Sequence, residues 1–233
     1  MSLNTQVLEI KDPKEQLLRR MRKGHRADIK RSLRLLETEV YDHATLTQET
    51  FDAYREMHAK AAGRVTRPRG ESFDVMYQWV KSGLAILAGA KYQDRWVGFI
   101  HTNIYKDGAY YGSSANDPEY RHFPISHTIQ WAIIQWLGNN GIQRYELGVQ
   151  QYSPQLHDIP SEKDKAISLF KRGFGGEVVP FYRREKYDSV GFYRTVWAER
   201  IEEYAREMES RATTNAGAME SPPQPAGTRV TPP

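Results

Sequence analysis

A lysine near the end of a helical pattern is the first residue of chemical interest. It lies in Ile167-Ser168-Leu169-Phe170-Lys171-Arg172-Gly173-Phe174-Gly175-Gly176. Ile167, Phe170 and Phe174 recur at helical spacing and predict an apolar face. Gly175 and Gly176 predict a left-handed stop that costs no steric strain. Lys171 and Arg172 then fall in the last turn, where the helix dipole favours a cation. The chemical alternative is that Lys171 faces a reaction centre and stabilises an oxyanion. Spacing alone leaves both readings open. Glu146, in Tyr145-Glu146-Leu147-Gly148, is a carboxylate on an expected inner strand. Burying it unpaired is costly, so it must face solvent, meet an arginine or line a site. In a cleft it could serve as a general base with a raised pKa; otherwise it is an ion-pair partner.

A third group is the crossover Tyr110-Tyr111-Gly112-Ser113-Ser114-Ala115-Asn116, continuing to Pro124-Ile125-Ser126-His127. Gly112 and its small neighbours permit close approach to the backbone. Ser126, or a residue just before it, begins a helix whose first N–H groups could bind a phosphate or a carboxylate. Arg121 and His122 lie just upstream. A plain edge strand and capped helix would read the same way, and neither a P-loop nor a dinucleotide fingerprint is present. Metal is not expected: only His122 and His127 are close among the 7 histidines, and they are separated by a proline. With no Gly-x-Ser-x-Gly elbow and 0 cysteines, a covalent acyl-enzyme is disfavoured and direct transfer between two bound substrates is favoured. The lack of cysteine also makes a cytoplasmic location the default.

These groups need a scaffold, and 233 residues at 39% hydrophobic are enough for one sizeable core. Asp12-Pro13 predicts a helix start, with Asp12 as cap, running to about Leu36 with a break near Gly24. A short strand spans 38–42. Thr47 caps a helix over 48–62, and another helix covers 72–81. Strands at 84–91, 95–105 and 109–115 follow as an antiparallel meander. Next come a helix at 124–138, a strand at 144–148, a helix at 161–172, a strand at 177–184 and a helix at 188–209. The domain reading is a leading basic helical segment at 1–37, a catalytic domain at 38–209 and a disordered Pro/Ala/Gly-rich tail at 210–233. No stretch reads as a transmembrane segment. Net charge is only +4, but cations cluster at 19–34, at Arg64, Arg67 and Arg69, and around Lys171. Such clusters suit phosphate-bearing partners, although a solvated helix face explains the first equally well.

Three features in this order resemble the FemAB-like acyltransferases, which have the GNAT (Gcn5-related N-acetyltransferase) fold, and their BioF2-like relatives. They are His25-Arg26-x-x-Ile29-Lys30-Arg31; Tyr111-Gly112-Ser113-Ser114-Ala115 with Trp131-Ala132-Ile133 and Tyr145-Glu146-Leu147-Gly148; and Phe170-Lys171-x-Gly173-Phe174-Gly175-Gly176. The resemblance covers roughly residues 19–187 and is to the C-terminal lobe of these two-lobed enzymes. It implies an α/β (α+β) fold with a mixed, mostly antiparallel sheet and helices on both faces. It also implies transfer of an acyl or aminoacyl group to an amine of a cell-envelope sugar or peptide precursor, such as one of peptidoglycan. The donor would be acyl-CoA (acetyl-CoA) or aminoacyl-tRNA, so tRNA and a small-molecule or lipid-linked glycan substrate are the expected partners. Lys171 would hold the oxyanion, with Phe170 the neighbouring aromatic and Glu146 the base. Tyr111 belongs to the same substrate-binding set. Arg121, Ser126 and His127 would hold donor phosphates, and Arg64 and Arg67 an anionic acceptor or donor. The usual coenzyme A signature of acetyltransferases, Gln/Arg-x-x-Gly-x-Gly/Ala, is not found in the sequence. Two rivals are a non-catalytic lobe that binds RNA, anionic glycan or protein, and one half of a split or truncated transferase, active only with a separate lobe, which a large exposed apolar face or a homodimer would indicate.

Overall fold

A computed structural model describes residues 2–65 and 72–219. Its seven strands are β1 (Ser2–Glu9), β2 (Glu37–Tyr41), β3 (Ala85–Tyr92), β4 (Arg95–Tyr105), β5 (Gly108–Asn116), β6 (Arg144–Gln150) and β7 (Glu177–Tyr182). They form one sheet in the order β2-β3-β4-β5-β6-β1-β7. Every neighbouring pair is antiparallel except β5 and β6. That parallel pair needs a crossover, which the helix between the two strands supplies.

The helices are α1 (Lys14–Arg20), α2 (Lys23–Ser32), α3 (Gln48–Ala62), α4 (Ser72–Lys81), α5 (Ile125–Asn139), α6 (Glu162–Arg172) and α7 (Val190–Met219). On one face of the sheet, Ile86, Ala88 and Ala90 of β3 pack with Ile29 of α2 and Ile129 and Ile133 of α5. On the other, Ala85 and Leu87 pack with Phe51 and Tyr54 of α3 and Phe73 and Met76 of α4. Burial on both faces explains why β3 reads as a continuous apolar run rather than an alternating one. The architecture is the mixed, mostly antiparallel α/β (α+β) sheet expected from the sequence.

The chain divides into two units. One, Ser2–Gln150 with Ala166–Tyr182, carries the sheet; the other comprises Gln151–Lys165 and the residues from Arg183 onward. Within the second, Arg200 pairs with Glu185 at 2.8 Å. Among the described residues no helix is long and apolar enough to cross a membrane.

Several expectations need correction. The leading segment 1–37 is not purely helical, because residues 2–9 form β1 between β6 and β7. Its inward polar side chains hid it: Gln6 Nε2 donates to the Gly175 carbonyl at 2.6 Å, a partner 169 residues away. The first helix breaks at Met21-Arg22, before Gly24, where the Arg22 N–H leaves the helix to donate to the Gly173 carbonyl at 2.8 Å. Pro13 rather than Asp12 occupies its N-cap, and Asp12 instead pairs with Arg20 at 2.6 Å. Residues 211–219, read as tail, continue α7, since no proline interrupts them; residues 220–233 lie outside the described residues. Ile167 is 40% exposed, so the inward position of α6 falls on Ser168, which is buried.

Candidate functional site

The sheet opens where β5 and β6 part. They pair only over Gly108–Tyr110 and Arg144–Glu146. Beyond that, β5 stays on β4 as far as Asn116 and β6 stays on β1. The facing backbone edges are left to pair with something else. At the opening, Gly148 turns β6 through a left-handed residue with φ +89°. A Cβ at Gly148 would lie 3.3 Å from Lys171 Nζ and 3.5 Å from the Tyr110 hydroxyl. Glycine therefore keeps clear a space that two hydrogen-bond donors approach.

Lys171 is brought here by the last turn of α6. Its Nζ donates to the Val149 carbonyl at 3.4 Å and lies 6.0 Å from the centre of the Tyr111 ring. Burial pushes its pKa below the ordinary lysine value, and the charge of Glu146 opposes that shift. Glu146 is half-buried and accepts a hydrogen bond from Thr5 Oγ1 of β1 at 2.7 Å. It lines a cavity of about 320 Å³ with Asn103, Tyr110 and Arg144. Tyr111 donates to Ser114 Oγ at 2.6 Å, and burial raises its pKa.

Phe170 faces a second cavity, of about 360 Å³, at the N-terminus of α5, where Arg31, Asp28, Arg121, Ser126 and His127 also contribute. No side chain caps this helix end, so its first N–H groups and two guanidinium groups suit an anion. Ser126 Oγ accepts from Asn116 Nδ2 at 2.7 Å. His127 contributes no charge near neutrality. Burial, and then the neighbouring His25, lower its pKa to about 4, against the pull of Asp28. His25, read in the sequence as one member of a basic helix, is buried. It donates through Nε2 to the Phe170 carbonyl at 2.8 Å, and its ring packs against His127, Phe170 and Phe174. The glycines of the Lys171 motif make this packing possible. A Cβ at Gly173 would overlap the His25 ring, and one at Gly176 the Val7 carbonyl of β1.

The family model for the acetyltransferase (GNAT) domain matches residues 19–154, more than half of the chain. The chain belongs to the GNAT acetyltransferase domain family. Within that family it is similar to the FemAB-like acyltransferases. It is 29% identical over 84 residues to the aminoacyltransferase FemA of Staphylococcus aureus, a match of 36% of this chain and 19% of FemA. It thus spans only about a fifth of FemA. Among solved structures, it shares its fold with FemX at TM-score 0.58 and 16% identity, over 75% of this chain and 59% of FemX. The C-terminal domain of a lysylphosphatidylglycerol synthetase from Agrobacterium fabrum superposes at TM-score 0.59 and 13% identity, over 77% and 59% of the two chains.

Of the residues singled out in the sequence of this GNAT domain, Lys171, Glu146 and Tyr111 meet at the strand opening. Phe170, Arg121, Ser126 and His127 meet at the start of α5. Arg64 is exposed just beyond α3 and lines neither cavity. Arg67 lies outside the described residues. Sequence reasoning missed Thr5, because β1 was not recognised. It also passed over Tyr110, whose register beside Glu146 in the β5–β6 ladder only the fold reveals. Arg31 belonged to the basic cluster, but nothing in the sequence separated it from its neighbours. Among the described residues no group of acidic or histidine side chains could hold a metal ion.

Proposed function

We propose that the chain transfers an acyl or aminoacyl group from a phosphate-bearing donor, acyl-CoA or aminoacyl-tRNA, to an amine of a cell-envelope sugar or peptide precursor. The observation that carries this reading is the half-buried Lys171 ammonium, aimed at the opening between β5 and β6 across from the space that Gly148 leaves clear. The donor's phosphates would lie at the start of α5 against Arg31 and Arg121, with Ser126 and neutral His127 as hydrogen-bonding groups. Its acyl end would pass Phe170 to reach Lys171.

The acceptor nitrogen attacks the carbonyl carbon and a C–N bond forms. The carbonyl oxygen takes the negative charge, which Lys171 stabilises with the Tyr110 hydroxyl as a second donor. Glu146 accepts the proton released by the amine, and Thr5 holds its carboxylate in place. The C–S or C–O bond to the donor then breaks, the leaving thiolate or ribose alkoxide takes up a proton from water, and Glu146 gives the amine's proton back to solvent and returns to its carboxylate form. Preorganisation suits this chemistry: the ammonium is already partly desolvated, so its field acts at short range with little screening.

The test is Lys171→Met, assayed with acetyl-CoA and with alanyl-tRNA against hydroxylamine as a generic amine. Transfer is expected to fall about 10²–10³-fold, with the thermal midpoint nearly unchanged. Wild-type turnover in this variant overturns the assignment. Stabilisation of the wild-type chain by one donor and not by the other identifies the donor class.

A further inference from the structure

The last helix, α7, is 30 residues long, and none of its described side chains is buried. Helices in folded proteins owe most of their stability to the packing of an apolar face. The apolar face of α7 is regular. Val190, Tyr193 and Trp197 recur eleven residues later as Ile201, Tyr204 and Met208. Eleven residues are close to three helical turns, so these six side chains form a nearly straight stripe. At 100° per residue they fall within an arc of about 80°. Val190 is 67% exposed, Tyr193 45% and Ile201 54%. A contiguous exposed stripe of this kind marks an interaction surface.

The middle of the stripe is ordered by contacts within the same unit. The Trp197 ring lies 6.1 Å from that of Tyr193, and the Arg200 guanidinium sits 5.3 Å from the Trp197 ring centre. Arg200 is itself held by its ion pair with Glu185. Charge is unevenly divided along the helix. Residues 190–200 carry two arginines against one glutamate, and residues 201–211 carry four glutamates against two arginines. The first block is net positive and the second net negative. The stripe also reads nearly the same in both directions about residue 199. Two copies laid antiparallel would set Val190 opposite Met208, Trp197 opposite Ile201 and Tyr193 beside Tyr204. Each basic block would then lie against an acidic one, whereas a parallel pair would set like charge on like.

We infer that α7 is the seam of a homodimer, in which two copies of this helix pack antiparallel along the stripe and Arg194 meets Glu202 of the partner subunit. A two-fold axis near residue 199 makes the contact isologous, so it closes at two copies and does not propagate. A lipid surface suits this helix less well. Amphipathic helices that lie on membranes carry Lys and Arg on the polar face, and the second block of α7 is acidic. The contact uses residues of α7 alone and is independent of the transfer chemistry proposed for Lys171.

The test is sedimentation velocity of the full chain at micromolar concentration, where a species of twice the 27.0 kDa chain mass is expected. Ile201→Glu should weaken the dimer at least about tenfold. Arg194→Glu should weaken it as well, and Arg194→Glu combined with Glu202→Arg should restore it. Those two positions are eight residues apart on one helix, too far to meet except across the seam. The charge swap keeps the test decisive should Ile201→Glu also unravel α7. Orientation is read separately. The chain has 0 cysteines, so Glu199→Cys or Glu209→Cys gives one spin label per copy. Antiparallel packing sets the labels at 199 level with each other and those at 209 about 30 Å apart along the axis. A monomer overturns the inference, and flotation with phosphatidylglycerol vesicles in that case would give the stripe to a lipid surface. A dimer indifferent to Ile201→Glu, a charge swap that restores nothing, or label pairs equally close at 199 and 209 would overturn it too.

Discussion

At the scale of single residues, the proposed mechanism depends on one cation placed where water reaches it poorly. Burial lowers the pKa of Lys171 and the charge of Glu146 partly restores it. The oxyanion role needs the ammonium, so the transfer rate should decline as pH rises through this lowered pKa, at a pH below the ordinary lysine value of about 10.5. Lys171→Arg, if it retains activity, should lose that alkaline limb, because guanidinium does not titrate there. A pH–rate profile of both proteins checks this. Tyr110→Phe removes only a hydroxyl that approaches the space above Gly148. Its kcat should fall about tenfold, with KM and thermal midpoint near wild type. Steady-state kinetics with the preferred donor decides, and an unchanged kcat removes Tyr110 from the mechanism.

At the scale of elements, the end of α6 is held by contacts that its glycines allow. Gly173 accommodates His25 of α2 and Gly176 accommodates the Val7 carbonyl of β1. Gly173→Ala and Gly176→Ala should each cost about 1–3 kcal/mol, read as a lowered urea midpoint at constant slope. Gly176→Ala should be the worse of the two, because its obstacle is backbone and its φ is +83°. In the proposed mechanism the β1 strand contributes chemistry as well as packing, since Thr5 donates a hydrogen bond to the Glu146 carboxylate. Thr5→Val keeps the volume and the β-branch but removes the donor. It should reduce kcat several-fold while changing stability by no more than about 1–2 kcal/mol.

At the scale of the whole molecule, β1 joins β6 to β7, so the first residues of this chain close the sheet. Removing residues 1–9 would strip β6 and β7 of their common neighbour and bare the apolar surface around Leu8, which is 3% exposed. The truncated chain should fail to give a dispersed NMR spectrum. Acid should also act globally through the buried imidazoles. The folded-state pKa of His127 is lowered to about 4 and that of His25 is lowered too. The unfolded chain therefore binds more protons below the unperturbed value, and stability falls as pH drops from about 6.5 toward 4. The shift on His127 corresponds to at most about 3 kcal/mol. A His127→Gln variant should show a shallower decline in thermal midpoint over that window. An identical slope would mean that carboxylates alone carry the acid response.

Local pattern determined much of this protein. The helix Gln48–Ala62 with its Thr47 cap, the meander of three strands and the crossover helix were legible because periodicity, caps and turn residues act over a few neighbours. The Lys171 motif was legible for the same reason: its glycines and last-turn cations announce a helix end. The tertiary structure decided what those elements meet. The strand Ser2–Glu9 carries buried Thr5 and Gln6, whose partners Glu146 and Gly175 lie 141 and 169 residues away. Polar side chains at inward positions look like surface until such partners are known. His25 looked like one of many basic residues and became a buried imidazole under Phe170. Arg64 looked like part of a site and ended outside both cavities. Burial and long-range pairing set the energy of a polar group, and neither is written in its neighbours along the chain.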